Sequence, residues 1–410
     1  MKRFIFLAGI IILSACSAKK SPSVPTGNWR GVILMQGTEL PFNFAIDSTS
    51  TGYQARLINA DEEIQLDELS FQGDSLVMVM HIFDTELRAK VNGDSMSGYF
   101  IKNYVENYRL PFRAKQGQAF RFQNAAENTA VDFSGTYEVV FTNEAETTPA
   151  IGVFSQTGNK VKGTFLNPTG DYRYLDGNIV DNKMHLSVFD GDHVYLFIAE
   201  KISDTELKGT YRSGKAWFQD WTAKLNPDAK LTDADKLTGM KPGYETLPFS
   251  FPDPERNLVT EKDTLFKNKV VIVQLLGTWC PNCMDETKFL TGWYAKNRNR
   301  GVEVVGLAFE AKDDFTYAAE RVKKMKKKLN VAYPVLIAGN KDKKRASEAL
   351  PVLNEVVAFP TLIFVDKTGK VKKIHTGFSG PGTGAYYERF IQEFNAIVNE
   401  LLLSEEDKSK

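Results

Sequence analysis

The sequence predicts a multidomain chain: two antiparallel all-β repeats, each a small barrel or sandwich, followed by an α/β fold. Three observations predict it. Residues 27–226 run as short alternating segments broken by Gly, Asn and Asp, the signature of hairpin-connected strands. That stretch repeats itself at an offset of about 109 residues. Beyond residue 231, continuous apolar runs alternate with helical patterns, the order of a sheet covered by helices on both faces. A chain of 410 residues exceeds one ordinary core, which suits this division.

The chain opens on Met1-Lys2-Arg3 and a short apolar core, Phe4 to Leu13. That core is well under the ~20 residues a spanning helix needs. Small residues follow in Leu13-Ser14-Ala15, so residues 1–15 read as a secretory signal. The placement of Cys16 resembles a bacterial lipobox. The resemblance implies cleavage before Cys16, lipidation of its thiol and amine, and attachment to a membrane through the lipid. Residues 16–26, rich in Ser, Pro and Lys, read as a flexible tether. Of three cysteines, two then remain, Cys280 and Cys283. A lone close pair in an exported protein points to redox work.

The repeats span residues 27–118 and 131–226. Gly27-Asn28-Trp29 parallels Gly135-Thr136-Tyr137, and Leu66 parallels Leu175. Gly98 parallels Gly209, and Arg113-Ala114-Lys115 parallels Thr222-Ala223-Lys224. Each copy has room for about eight short strands. The polar stretch Ala119 to Val131 reads as the joint. Trp29, Tyr99, Trp217 and Trp221 read as core and edge packing, because large aromatics dominate β cores. His185 and His193 lack metal-ligand spacing.

Residues 231–403 form the α/β region, entered through a polar linker, Asn226 to Gly243. Val270 to Leu276 is an unbroken β-branched and apolar run, suited to a strand buried on both faces. Gly277-Thr278-Trp279-Cys280-Pro281-Asn282-Cys283 follows, and a helical pattern continues to about Asn297. Val302 to Phe309 is a second buried strand. Asp313 or Asp314 can cap a helix to Leu329, with Val322, Met325 and Leu329 inward and the lysines of Lys323 to Lys328 solvated. Tyr333 to Ile337 is a third strand, Lys343 to Leu350 a short helix. Thr361–Val365 and Val371–Thr376 make a closing hairpin, and Ala385 to Leu403 a terminal helix.

The two thiols therefore sit where a central strand hands over to a helix. A helix's first turn has unpaired N–H groups and partial positive charge, which favour a thiolate at Cys280. Cys283, one turn deeper, is placed to attack a mixed disulfide formed there. The pair can move two electrons with no metal and no organic cofactor. A metal site needs three or four ligands, and a single Cys-x-x-Cys supplies two.

Trp279-Cys280-Pro281-Asn282-Cys283 at a strand–helix junction resembles the active site of the thioredoxin superfamily. Glu286, three residues on, resembles the pattern of the membrane-tethered TlpA/ResA-type thiol–disulfide oxidoreductases. Phe359-Pro360-Thr361 before an apolar run is similar to the family's cis-proline loop. The resemblance implies that Cys280 attacks, Cys283 resolves, and Glu286 takes a proton from Cys283. It implies that Trp279, Phe359 and Pro360 hold an extended substrate segment. It also implies partners among envelope proteins with Cys pairs or disulfides, a membrane electron donor, and a site in the cell envelope facing the periplasm or exterior.

Two features depart from the pattern. Gln274 stands where thioredoxin has a buried aspartate, which shifts proton handling toward Glu286 or water. Pro281-Asn282 differs from the dipeptide of many relatives, so no reduction potential carries over. Copper-delivering relatives pair a distal histidine, here His375, with a longer Cys-x-x-x-Cys. A thiol peroxidase of the peroxiredoxin type wants Pro and Thr or Ser where this chain has Val273 and Gly277. A third alternative makes the β repeats a surface ligand- or partner-binding module. Formal net charge is zero, which gives no argument for nucleic acid.

Overall fold

The computed structural model describes residues 23–66, 68–80, 82–122 and 129–403. Cys16 lies outside the described residues. The first repeat is a meander of Gly27–Met35, Thr38–Thr49, Gly52–Asn59, Glu62–Leu66, Glu68–Gln72, Ser75–Met80, Thr85–Asn92, Ser95–Lys102 and Arg109–Gln116, and its first strand pairs with its last. Glu62–Leu66 pairs backward and Glu68–Gln72 forward, on either side of residue 67. The two segments are the ends of the nine-stranded order.

The second repeat closes fully. Thr147–Thr157 pairs with Gly135–Thr142 and with Lys160–Asn167. Leu175–Val180, Lys183–Phe189, Val194–Lys201, Glu206–Ser213 and Trp217–Leu225 carry the ring round to Gly135–Thr142. Closure removes the unpaired edges that open sheets expose. The interiors are filled by rings: Trp29, Phe42, Phe44 and Phe112 in one barrel, Phe141, Phe165, Phe197, Tyr211 and Trp221 in the other. Trp29 and Trp221 are core, whereas Tyr99 and Trp217 are exposed.

The barrels are locked to each other. Phe189 of the second enters the first, its ring 4.7 Å from Phe42 and 4.9 Å from Phe100. The joint, polar in sequence, carries a buried clamp. Arg121 donates to Asn59 Oδ1 (2.8 Å), Ser187 Oγ (2.9 Å), Asp176 Oδ2 (3.0 Å) and the Ile58 carbonyl (3.1 Å). A guanidinium tolerates burial only with this many acceptors.

The α/β region has a five-stranded sheet ordered Val335–Asn340, Val302–Glu310, Val270–Leu276, Thr361–Val365, Val371–Thr376. The first three run parallel, and Thr361–Val365 is antiparallel to both its neighbours, so Val371–Thr376 points the same way as the first three. Around it lie α1 (Pro281–Asn297), α2 (Phe315–Leu329), α3 (Lys343–Ala349) and α4 (Ala385–Leu402). Every residue of Val270–Leu276 is buried, as its continuous apolar run requires. Asp314, not Asp313, caps α2, its Oδ1 accepting from the Tyr317 N–H at 2.8 Å. Val322 and Met325 face the core and Leu329 is half-buried. The polar linker is not loose. Asp235 accepts from Lys373 (2.6 Å) and meets His375 Nδ1 (2.8 Å), and the Thr238 N–H bonds Thr376 Oγ1 (3.2 Å). Polar side chains here serve as partners for the last strand, which composition alone could not distinguish from a solvated spacer.

Candidate active site

The central strand ends at Leu276, and Gly277-Thr278-Trp279 turns the chain into α1. Glu310, buried at the end of the neighbouring strand, fixes that turn by accepting from the Thr278 N–H (3.0 Å) and hydroxyl (2.7 Å). The Trp279 indole donates to the Phe309 carbonyl at 2.9 Å. Cys280 is the N-cap of α1, with Pro281 at the first helical position, where a missing N–H costs nothing. Cys280 and Cys283 are joined in a disulfide. The Cys283 N–H points at Cys280 Sγ from 3.2 Å, so the sulfur already occupies the anion position of the helix end. Cys280 keeps a small accessible surface and Cys283 has none, so Cys280 is the outer sulfur and Cys283 the inner.

The loop before Thr361 faces the pair. Phe359-Pro360 is a cis peptide, and the Phe359 carbonyl lies 3.7 Å from Cys280 Sγ. The Phe359 ring meets Trp279 edge-on at 6.0 Å. Trp279, Phe359 and Pro360 thus converge on the outer sulfur. Behind the pair, Glu286 is fully buried. One carboxylate oxygen accepts from the Gln274 amide at 2.8 Å, and the other has no partner among the described residues. Burial raises its pKa to about 8, against a smaller lowering by Gln274. The amide at 274 is therefore a fixed donor that orients Glu286, and Gln274 Oε1 in turn accepts from Thr287 at 3.2 Å. His375 lies apart, on the last strand against Asp235. Among the described residues no group of three His, Cys, Asp or Glu is placed to hold a metal.

Four further residues shape the site without a sequence motif to announce them. Arg173 and Asp171, on a hairpin of the second barrel, touch α1 directly. Arg173 donates to the Pro281 carbonyl (3.2 Å) and pairs with Asp285, and the Asp171 carbonyl accepts from Asn282 Nδ2 (3.0 Å). Gly170 takes φ +151°, and a Cβ there would fall 2.7 Å from Asn282 Nδ2. On the other flank Lys341 sits over both Trp279 (5.3 Å) and Tyr104 of the first barrel (5.0 Å). The internal repeat was the only available signal: at the offset of Leu66 and Leu175, Arg173 falls opposite Ile64, an exchange of apolar for charged at one position.

A disulfide capping a helix after a central strand, opposite a cis-proline loop, defines a thioredoxin-fold dithiol–disulfide centre. The Redoxin family model matches residues 241–389. The thiol-disulfide oxidoreductase ResA of Bacillus thuringiensis subsp. konkukian is 30% identical over 132 residues, 32% of this chain and 68% of that protein. ResA of Geobacillus thermodenitrificans is 28% identical over 114 residues, 28% of this chain and 58% of that protein. Among solved structures, a putative thiol:disulfide interchange protein DsbE from Chlorobium tepidum is 21% identical, covers 39% of this chain and 99% of its own, and has a TM-score of 0.30. The chain belongs to the ResA/TlpA-like thiol–disulfide oxidoreductases of the thioredoxin superfamily, with two β-barrels added ahead of the shared domain.

Proposed function

We propose that this protein reduces disulfides in proteins of the cell envelope, tethered to a membrane by lipid on Cys16 and resupplied with electrons by a membrane dithiol donor. The observation that carries this reading is the Cys280–Cys283 pair at the start of α1, the outer sulfur reachable and the inner one buried three residues before the buried Glu286. In the reduced state the Cys280 thiolate attacks one sulfur of the partner's disulfide. That S–S bond breaks, the other partner sulfur leaves as a thiolate and takes a proton, and a mixed disulfide remains. Cys283 then gives up its proton and attacks Cys280 Sγ. The partner's second sulfur leaves, and the chain ends oxidised with two electrons transferred. Glu286, one turn beyond Cys283 with its pKa raised to about 8, suits the role of proton acceptor for that second step in its ionised form.

Insulin reduction by the full chain, driven by dithiothreitol, tests the exchange. Cys280→Ser abolishes it, and Cys283→Ser accumulates a mixed disulfide. Activity retained in Cys280→Ser would discard the mechanism. Equilibration with glutathione tests the direction: a potential near the thioredoxin end of the scale, about −270 mV, supports a reductant, and one near −120 mV contradicts it.

A further inference from the structure

Arg173 lies where three domains meet. It belongs to the second barrel, pairs with Glu62 of the first, approaches Asp190 Oδ2 at 3.1 Å, and reaches the Pro281 carbonyl and Asp285 on α1. It is almost wholly buried. Its backbone is in the left-handed region, φ +61°, uncommon for a non-glycine residue, and its N–H is tied to Asp171 Oδ1 at 2.6 Å. The hairpin is therefore built to hold this side chain, and the same hairpin holds Asn282. A simple docking pin could sit anywhere on the redox domain. This one sits on the dipeptide between the two cysteines, at the helix end whose charge governs the outer sulfur.

We infer that Arg173 is a positioning residue for disulfide exchange: it fixes the Pro281-Asn282 turn from the barrel side and adds a positive charge that stabilises the Cys280 thiolate. The charged groups around it are Glu62, Asp171, Asp190 and Asp285, with His193 on Asp190 and Lys288 on Asp285. The barrels thereby set the reactivity of a site that lies outside them. This rests on the redox reading of the cysteines, which the insulin assay on wild type and Cys280→Ser tests separately.

The sign of the effect separates this role from mere docking. Arg173→Gln and Asp285→Asn break the same ion pair from opposite sides. If charge at the helix end is what matters, they act in opposite directions. In the reduced full chain, the rate of Cys280 alkylation by iodoacetamide at pH 7 falls about three- to tenfold in Arg173→Gln and rises by about the same factor in Asp285→Asn. A shift in the same direction in both, or none in either, overturns the proposal. Should Arg173→Gln fail to fold, Asp285→Asn alone decides: a rise supports it, and a fall or no change overturns it.

Discussion

The two barrels share one sequence pattern and meet the same helix by different means. The first presents Ile64, Leu66, Met80, Ile82 and Phe83 to the flank of α1 around Met284 and to Leu329 of α2, an apolar contact of hydrophobic-core character. The second presents Arg173 and the Asp171 carbonyl to the turn between the cysteines, a contact made of charge and hydrogen bonds. Apolar burial is strong and non-directional, so this part of the first barrel anchors without acting on a thiol, and the charge that barrel brings, Glu62, enters as a partner of Arg173. Buried charge acts at a distance and its hydrogen bonds are directional, so the second can anchor and tune at once. At the repeat offset, Ile64 of the first barrel stands where the second has Arg173.

Substitutions can break this comparison or sharpen it. The largest effect falls on the contact that makes the barrels one unit. Phe189→Ala empties the ring cluster with Phe42 and Phe100 and lowers stability by about 3–5 kcal/mol in urea denaturation. Alkylation of Cys280 stays unchanged in buffer, since the hairpin on α1 is untouched.

Glu286→Gln comes next and depends on pH. Glu286 keeps its proton to about 8 when folded, against an ordinary value of 4.5. Between those values the unfolded chain has released a proton that the folded chain retains, so wild-type stability falls as pH rises. The variant loses that fall. It gains on the order of 4 kcal/mol over wild type at pH 8 and nothing at pH 4, read from urea midpoints across that range. Glu62, raised by burial to about 7 despite Arg173, adds a slope of the same sign in both proteins.

Phe83→Ala tests the apolar flank. It costs about 3 kcal/mol by core truncation, with no change in the pH profile of Cys280 alkylation. A moved profile would erase the distinction between the barrels. The smallest change is Asn282→Ala, which frees the Asp171 carbonyl and costs about 1 kcal/mol in the same denaturation assay.

Much of this was legible in the sequence because local chemistry announces itself. The unbroken run at Val270–Leu276 demanded a strand buried on both faces, and Cys-Pro-x-Cys after it demanded a helix start. The cis peptide at Phe359-Pro360 was legible only through the resemblance to the family's proline loop. The two β-rich repeats followed from alternation and repetition, but barrel and sandwich stayed open until the pairing of first strand with last was seen. What stayed hidden depends on contacts between distant segments. Arg173 reads as an ordinary surface residue between two tyrosines, and its burial arises only when three domains close around it. Arg121 is hidden likewise in a polar joint. Gln274 was legible as a departure but not as a partner, because its pairing with Glu286 crosses from strand to helix.

The account depends most on the electrostatics of one helix end, and one titration of the reduced, full-length wild-type protein addresses it. The rate of iodoacetamide modification at each cysteine is followed by mass spectrometry from pH 4 to 10. The account predicts that Cys280 reacts first, with a half-point clearly below the free-thiol value of about 8.5, while Cys283 stays protected. A half-point for Cys280 at or above that value, or modification of Cys283 ahead of Cys280, would contradict it.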